Sequence, residues 1–527
     1  MPFTRPIVLI HGYSDKGQSF EAWKHALVSL GANVATVDVC TYITLNNEVT
    51  ITDIGEGLDR ALEYQLHWAD GEQKEFDAVV HSTGMLVLRS WLVSYGPRRG
   101  RLKHLVGLAP ATFGSPLAHK GRSLLGSIFK GNHDPLSPDF LNAGDQVLDA
   151  LELASRFTWD LTHRDLLAEP PFYTNSDDSP YVAVFIGDTP YKGIRAVVDE
   201  PATDGTVRWA GCGLNTRKIN VDLTRKPDGS GSQSAVSISP WANGRQDIPI
   251  IGVPGANHAT ILADAGSTRV DGLSLAELVA DFIQNVDTEA SFGTWRSKAR
   301  SFGSSAIEKM DASGGAGKKG WQQFIIRAVD ENANPITDYS VTLCRDAAGS
   351  AEGILQDFEA DVHAYRADPS LRCFQVNLPV EVLPPEPGTE TEAARNAQQR
   401  LYIRLNASTG TRLLQYQPYN SSGNPIPLDP RNGDVLLDIS HLTSSTDRLF
   451  FPYTTTLVEI RVNRETVPLN GVSELLYFLD EKGKPRSGPQ TPGALVGEIE
   501  ASAREIVERI RDPFAHPHAA PEDTKPA

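Results

Sequence analysis

From Pro6 to about Val286, short and nearly continuous apolar runs alternate with longer stretches of helical period. "PIVLIHG" reads as a strand buried on both faces. "SFEAWKHALVSLG" follows as a helix with Phe20, Trp23, Leu27 and Leu30 on one side. "NVATVDVC" is the next strand, and "ITDIGEGLDRALEYQLHW" the next helix, with Ile54, Leu58, Leu62 and Leu66 in register. The strand "FDAVVHS", the helix "GMLVLRSWLVSYG" and the strand "LKHLVGLAPA" repeat the alternation. "YVAVFIGD" and "IPIIGVPG" resume it, and "LSLAELVADFIQNV" closes it. Continuous apolar strands alternating with amphipathic helices predict a doubly wound, mostly parallel sheet covered on both faces, spanning residues 1–286.

Two stretches depart from that rhythm. Residues 112–180 contain the helix-like segments "FGSPLAHKGRSLLGSIFKG" and "DQVLDALELASRFTWDLTHRDLL" where a short connection would suffice, and are expected to form a helical cap. Residues 287–320 are rich in small residues and glycine and read as a linker. Beyond it the apolar period becomes two, in "QQFIIRAVD", "YSVTLCRD", "RCFQVNLP", "RLYIRLNAS", "DVLLDIS" and "TTLVEIRVN". Such segments predict an antiparallel β-sandwich over residues 321–470. An amphipathic helix is expected within 471–512, carrying Leu495, Ile499, Ile506 and Ile510 on one stripe, and 513–527 reads as a disordered tail.

A length of 527 residues fits two domains rather than one core. A formal charge of −17 argues against nucleic acid and against docking on anionic lipid by charge. No apolar run approaches the roughly 18 residues of a membrane span. "MPFTRPIVLIHG" enters a strand at once, so a cytoplasmic protein is expected, with signal-independent export left open. The cysteines Cys40, Cys212, Cys344 and Cys373 show no metal-ligand spacing and read as reduced and buried. Export would allow Cys344 and Cys373, on two strands of one candidate sheet, to bridge.

The candidate chemistry lies at strand ends. Ser82, in "VVHSTGM", sits at a strand-to-helix corner where a sharp turn would lift its hydroxyl clear of the sheet. The nucleophile pattern G-x-S-x-G keeps Gly84 but has Val80 at its first glycine. A serine hydroxyl needs an imidazole base, a carboxylate to orient it, and N–H donors for the oxyanion. His258, in the glycine-turn loop of "VPGANHATI", occupies the place for the base. Asp204 in "DGTV" is the preferred acid, and Asp188 in "VFIGDTPYKG" is the alternative. The amides of Tyr13, after His11-Gly12, and Thr83, after Ser82, are the candidate oxyanion donors.

Together, "IVLIHGYS", "VVHSTGM", "DGTV" and "NHATI" resemble the α/β-hydrolase superfamily, and within it the lipase/esterase branch that includes lecithin-acyltransferase-like and bacterial triacylglycerol lipases. The resemblance covers roughly residues 5–286 and leaves out the sandwich. It implies Ser82 as nucleophile, His258 as base, Asp204 as acid, and Tyr13 and Thr83 as oxyanion amides. It further implies a serine carboxylic-ester hydrolase, and no cofactor or metal is expected, since the chain has no H-E-x-x-H, no EF-hand loop and no G-x-G-x-x-G after a strand. The cap offers Leu124, Leu125, Ile128, Phe129, Leu153, Phe157, Trp159 and Leu161 as apolar area for an acyl chain, so a lipid ester, another apolar small-molecule ester or a polymeric ester is the expected substrate. A serine acyltransferase or phospholipase is an alternative, as is a catalytically silent hydrolase fold used for binding or delivery through its sandwich.

Overall fold

The computed structural model describes residues 2–12, 20–37, 48–66, 74–95, 100–119, 144–169, 172–173, 179–189, 202–224, 236–238, 248–263, 265–312, 321–344, 361–377, 402–411, 414–419, 423–428, 433–439, 451 and 453–466. In chain order the first half comprises β1 (Ile7–Ile10), α1 (Glu21–Ser29), β2 (Val34–Val37), α2 (Ile51–Leu66), β3 (Phe76–His81), α3 (Gly84–Ser94), β4 (Leu102–Leu108), α4 (Pro116–His119), α5 (Asp145–Leu151), α6 (Arg156–Arg164) and β5 (Tyr181–Gly187). Next come β6 (Thr216–Asp222), preceded by the short α7 (Trp209–Cys212), then β7 (Val236–Ile238), β8 (Ile250–Val253), α8 (Thr260–Ala263), the small hairpin β9 (Arg269–Val270) and β10 (Leu273–Ser274), α9 (Leu275–Asn285) and α10 (Glu289–Ala312). The C-terminal part holds β11 (Trp321–Asp330), β12 (Tyr339–Cys344), β13 (Asp361–Ala364), β14 (Leu371–Asn377), β15 (Tyr402–Ala407), β16 (Leu414–Tyr416), β17 (Val435–Asp438), β18 (Thr455–Val462) and β19 (Arg464–Thr466).

The central sheet has six strands in the order β2-β1-β3-β4-β5-β8, all parallel. Its apolar runs are buried on both faces: β1, β3 and β5 are buried at every position. This is the doubly wound α/β layer that the alternating pattern predicts. Helix α9 begins with a capping box in which Ser274 and Glu277 satisfy each other's exposed amides.

A second six-stranded sheet runs β13-β14-β11-β18-β6-β7. Its outer pairs are antiparallel, whereas β11–β18 and β18–β6 are parallel. After α7 the chain enters this sheet through β6 and β7 and returns to the central sheet at β8. Period-two alternation divides its two faces. Ile325, Cys373 and Leu457 pack into the core of the central sheet. Phe324, Ile326, Phe374, Val458, Ile219 and Val221 instead face a second core shared with the antiparallel sheet β12-β15-β17. The C-terminal half is therefore a β-rich layer, with one sheet buried between the α/β layer and the smaller sheet.

Local differences from the sequence pattern have identifiable causes. Residues 289–312, within the stretch read as a linker, form a helix, because Phe292, Trp295, Ala299 and Phe302 recur at helical spacing and are buried against the core. The segment 145–164 is two helices, since Ala154 takes a φ of +59° and Ser155 caps α6 by accepting from the Thr158 amide. Cys344 lies on β12 and Cys373 on β14, in different sheets, and neither they nor Cys212 forms a disulfide. The helix expected within 471–512, the tail, residues 120–143 and Cys40 lie outside the described residues.

Candidate active site

Ser82 stands at the end of β3 with a φ of +52°, in the left-handed region that non-glycine residues avoid. Such a conformation is held by its surroundings at about 1–3 kcal/mol. The neighbours here are glycines. A Cβ on Gly12 would come within 2.7 Å of Ser82 Cβ, and one on Gly84 within 2.7 Å of the Ile10 carbonyl oxygen. The end of β1 thus closes over the corner only because both positions lack a side chain.

Val80 occupies the place of the missing first glycine and is fully buried. In the ladder it pairs with Gly107 of β4, and side chains paired across a parallel ladder share a face. A Cβ on Gly107 would lie 2.9 Å from Pro110 Cγ and 3.1 Å from Met85 Cε, and Met85 belongs to α3. The close approach of helix to sheet is therefore made one strand over, at Gly107. Replacing Gly107 with valine should overpack this site and destabilise the protein by about 1–3 kcal/mol, measured as a lower urea midpoint.

His258 lies in the loop between β8 and α8. Asn257 begins that helix: its Oδ1 accepts from the Ala259 and Thr260 amides at 3.0 and 2.9 Å, and its own amide donates to Thr260 Oγ1 at 2.8 Å. A Cβ on Gly187 would collide with the Ala256 carbonyl, so the bare end of β5 lets this loop lie against it. Asp204 is fully buried in the "DGTV" turn, where Gly205 takes a φ of +94°. Its Oδ1 accepts from the Thr206 and Val207 amides, both at 2.9 Å.

These elements bring Ser82, His258 and Asp204 together. His258 Nε2 is 3.0 Å from Ser82 Oγ, and His258 Nδ1 donates to Asp204 Oδ2 at 2.8 Å. The His258 amide also donates to the Asp204 carbonyl at 3.1 Å. With Nδ1 protonated, Nε2 is free to accept the serine proton, which is the chemistry this geometry permits. Asp188 sits elsewhere: its Oδ1 accepts from Thr189 Oγ1 at 2.8 Å and from the Gly255 amide at 2.7 Å, pinning the turn before His258.

Thr83 is fully buried at the N-terminal edge of α3, where helix N–H groups favour developing negative charge. Tyr13 lies outside the described residues, but Gly12 is described, its carbonyl accepting from His11 Nδ1 at 2.9 Å. Of the expected acyl-binding residues, Leu124, Leu125, Ile128 and Phe129 also lie outside the described residues. Phe157 and Trp159 are on α6. Phe157 is half-buried against the core, and Trp159 packs on His163, with Lys218 Nζ of β6 6.0 Å from its ring centre.

Several supporting residues have no motif of their own. Ser115, after β4, donates to the Thr206 carbonyl at 2.6 Å and ties that loop to the turn that holds Asp204. The second sheet backs the segment just after that turn: Thr455 Oγ1 donates to the Ala210 carbonyl of α7 at 2.9 Å, and Arg208 Nη1 approaches Cys373 Sγ at 3.4 Å. Glu152 Oε1 accepts from His363 Nε2 at 3.2 Å and from the Arg366 amide at 3.0 Å, joining the cap to β13 and the loop after it. His81, beside Ser82, donates from Nε2 to the His258 carbonyl at 3.0 Å. Among the described residues no group of His, Cys, Asp and Glu side chains could hold a metal ion. Nor is any described helix long and apolar enough to cross a membrane.

No family model and no curated protein matches this sequence. Solved structures do. Phospholipase PlaB from Legionella pneumophila superposes with a TM-score of 0.67 at 20% identity, covering 92% of this chain and 99% of PlaB. Its complex with thio-NAD gives 0.66 with the same identity and coverage. The mature lipase BlEst2 from Bacillus licheniformis is 14% identical over 50% of this chain and 88% of its own, with a TM-score of 0.32. The chain therefore has an α/β-hydrolase fold and shares the architecture of PlaB, β-rich layer included, along nearly the whole length of that protein.

Proposed function

We propose that the protein is a serine carboxylic-ester hydrolase acting on lipid or other apolar acyl esters, with Ser82 as nucleophile, His258 as general base and Asp204 as its orienting acid. The observation that carries this reading is the buried hydrogen-bonded chain from Ser82 Oγ through His258 to Asp204. Ser82 Oγ attacks the ester carbonyl as His258 Nε2 takes its proton, and the Thr83 amide, with that of Tyr13, stabilises the oxyanion. Collapse of the tetrahedral intermediate expels the alcohol, which leaves with the proton from His258. Water, deprotonated by His258, then attacks the acyl-enzyme, and the acid is released as the proton returns to Ser82. No step needs a metal or an organic cofactor.

The fold shared with PlaB over 92% of this chain favours a phospholipid within the lipid esters. The test is labelling with a serine-directed fluorophosphonate, together with hydrolysis of aryl esters from acetyl to palmitoyl and of phosphatidylcholine vesicles. One adduct per chain on the Ser82 peptide, with turnover rising toward longer acyl chains, is the expected result. No adduct on the folded protein would instead favour a silent hydrolase fold used for binding or delivery.

A further inference from the structure

His81 is a buried titratable group beside the nucleophile that acyl transfer leaves without a task. We infer that His81 is a positioning residue for the base, holding the His258 main chain from the strand that carries Ser82. This rests on reading Ser82 and His258 as nucleophile and base. A carbonyl oxygen only accepts, so the 3.0 Å contact between His81 Nε2 and the His258 carbonyl makes Nε2 the protonated nitrogen of His81. The two rings also lie close, with centroids 4.6 Å apart and planes at 45°.

Two other bonds of His258 run to the Asp204 side of the site. Its amide donates to the Asp204 carbonyl and its Nδ1 to the Asp204 carboxylate. His81 adds a restraint from the nucleophile's side, so that motion of the base loop relative to Ser82 strains a buried hydrogen bond. Burial first, then the neighbouring His258 and His11 rings, disfavour the charged form of His81 and outweigh the His258 carbonyl bond that favours it, keeping its pKa well below the ordinary histidine value. It therefore adds no positive charge beside His258 when that ring is protonated during turnover.

The test uses two amides that differ by one methylene. A glutamine places its Nε2 near the position of the histidine Nε2, while an asparagine falls short of the His258 carbonyl. His81→Asn should lower kcat by about 10- to 100-fold, the range expected for an ångström-scale misplacement of a catalytic group, with KM little changed. Fluorophosphonate labelling of Ser82 should slow by the same factor. His81→Gln should restore both rates to within about threefold of the unsubstituted enzyme. Near-normal rates for His81→Asn, or equal impairment of the two variants, would overturn the inference. Full hydrolysis by Ser82→Ala would instead overturn the underlying reading, so the two failures are distinguishable.

Discussion

Ser82→Ala is expected to lower ester turnover by about 10⁴- to 10⁶-fold while leaving the fold intact, because in the proposed mechanism the removed hydroxyl supplies the nucleophile, and it carries little packing. The expected residual rate is that supplied by oxyanion stabilisation and binding alone. The same assay separates the two carboxylates. In Asp204→Asn the retained Oδ1 can still accept from the Thr206 and Val207 amides, but an NH₂ group then faces His258 Nδ1. That ring must respond by carrying its proton on Nε2, where it blocks acceptance of the Ser82 proton, and a loss of about 10⁴-fold in kcat follows. Asp188→Asn keeps the oxygen that Thr189 and Gly255 use, and should stay within a few-fold of the unsubstituted rate. Steady-state hydrolysis by the three variants, with circular dichroism as a folding control, checks the set. A loss at Asp188 equal to that at Asp204 would sink the assignment of the acid.

Much of this arrangement could be read from the chain because its chemistry sits where strands end. "VVHSTGM" and "NHATI" each follow an apolar run at its turn, and the α/β alternation places such ends on one edge of the sheet, whereas "DGTV" lies in the longer connection between β5 and β6. Pairing partners far apart in sequence carry no such local signal. Gly107 compensates for Val80 only through the ladder register, and nothing in "LKHLVGLAPA" announces that relation. β6 alternates Ile219 and Val221 with Lys218 and Asn220, a strand pattern, yet its neighbour β18 lies more than two hundred residues later. The helix Glu289–Ala312 was obscured by glycine and serine, although Phe292, Trp295, Ala299 and Phe302 already had helical spacing. Thr455 and Arg208 tie the second sheet to the segment just after the Asp204 turn, through packing of one sheet on another, which periodicity can suggest but cannot register.

Removal of the Arg89 guanidinium is expected to give the largest loss of stability of any single change considered. Arg89 points from α3 into the interior, where its side chain has no exposure and grips Asp165 through Nε at 2.7 Å and Nη2 at 2.9 Å. Nη1 donates to the Thr112 carbonyl at 2.6 Å, and Nη2 reaches Thr162 Oγ1 at 3.3 Å. Asp165 also accepts from the Leu166 amide and from Tyr173 Oη. Burial opposes the charged guanidinium, but the Asp165 carboxylate and Tyr173 together outweigh it and raise the Arg89 pKa. Tyr173 is pushed well above its usual value, by burial first and then by Asp165. The cluster fastens the helix behind Ser82 both to the segment following α6 and to the loop that leads to Ser115. Arg89→Met would leave a buried, unpaired carboxylate and should cost about 3–5 kcal/mol, a large share of the 5–15 kcal/mol typical of folded proteins. Arg89→Met combined with Asp165→Leu removes both charges and should recover most of that loss, because an apolar pair of similar volume can replace a buried ion pair. Equilibrium denaturation in urea provides the measurement: the single variant should show a much lower midpoint, and the double variant one near that of the unsubstituted protein. If the double variant were as unstable as the single, the destabilisation would lie in lost packing rather than in the stranded charge.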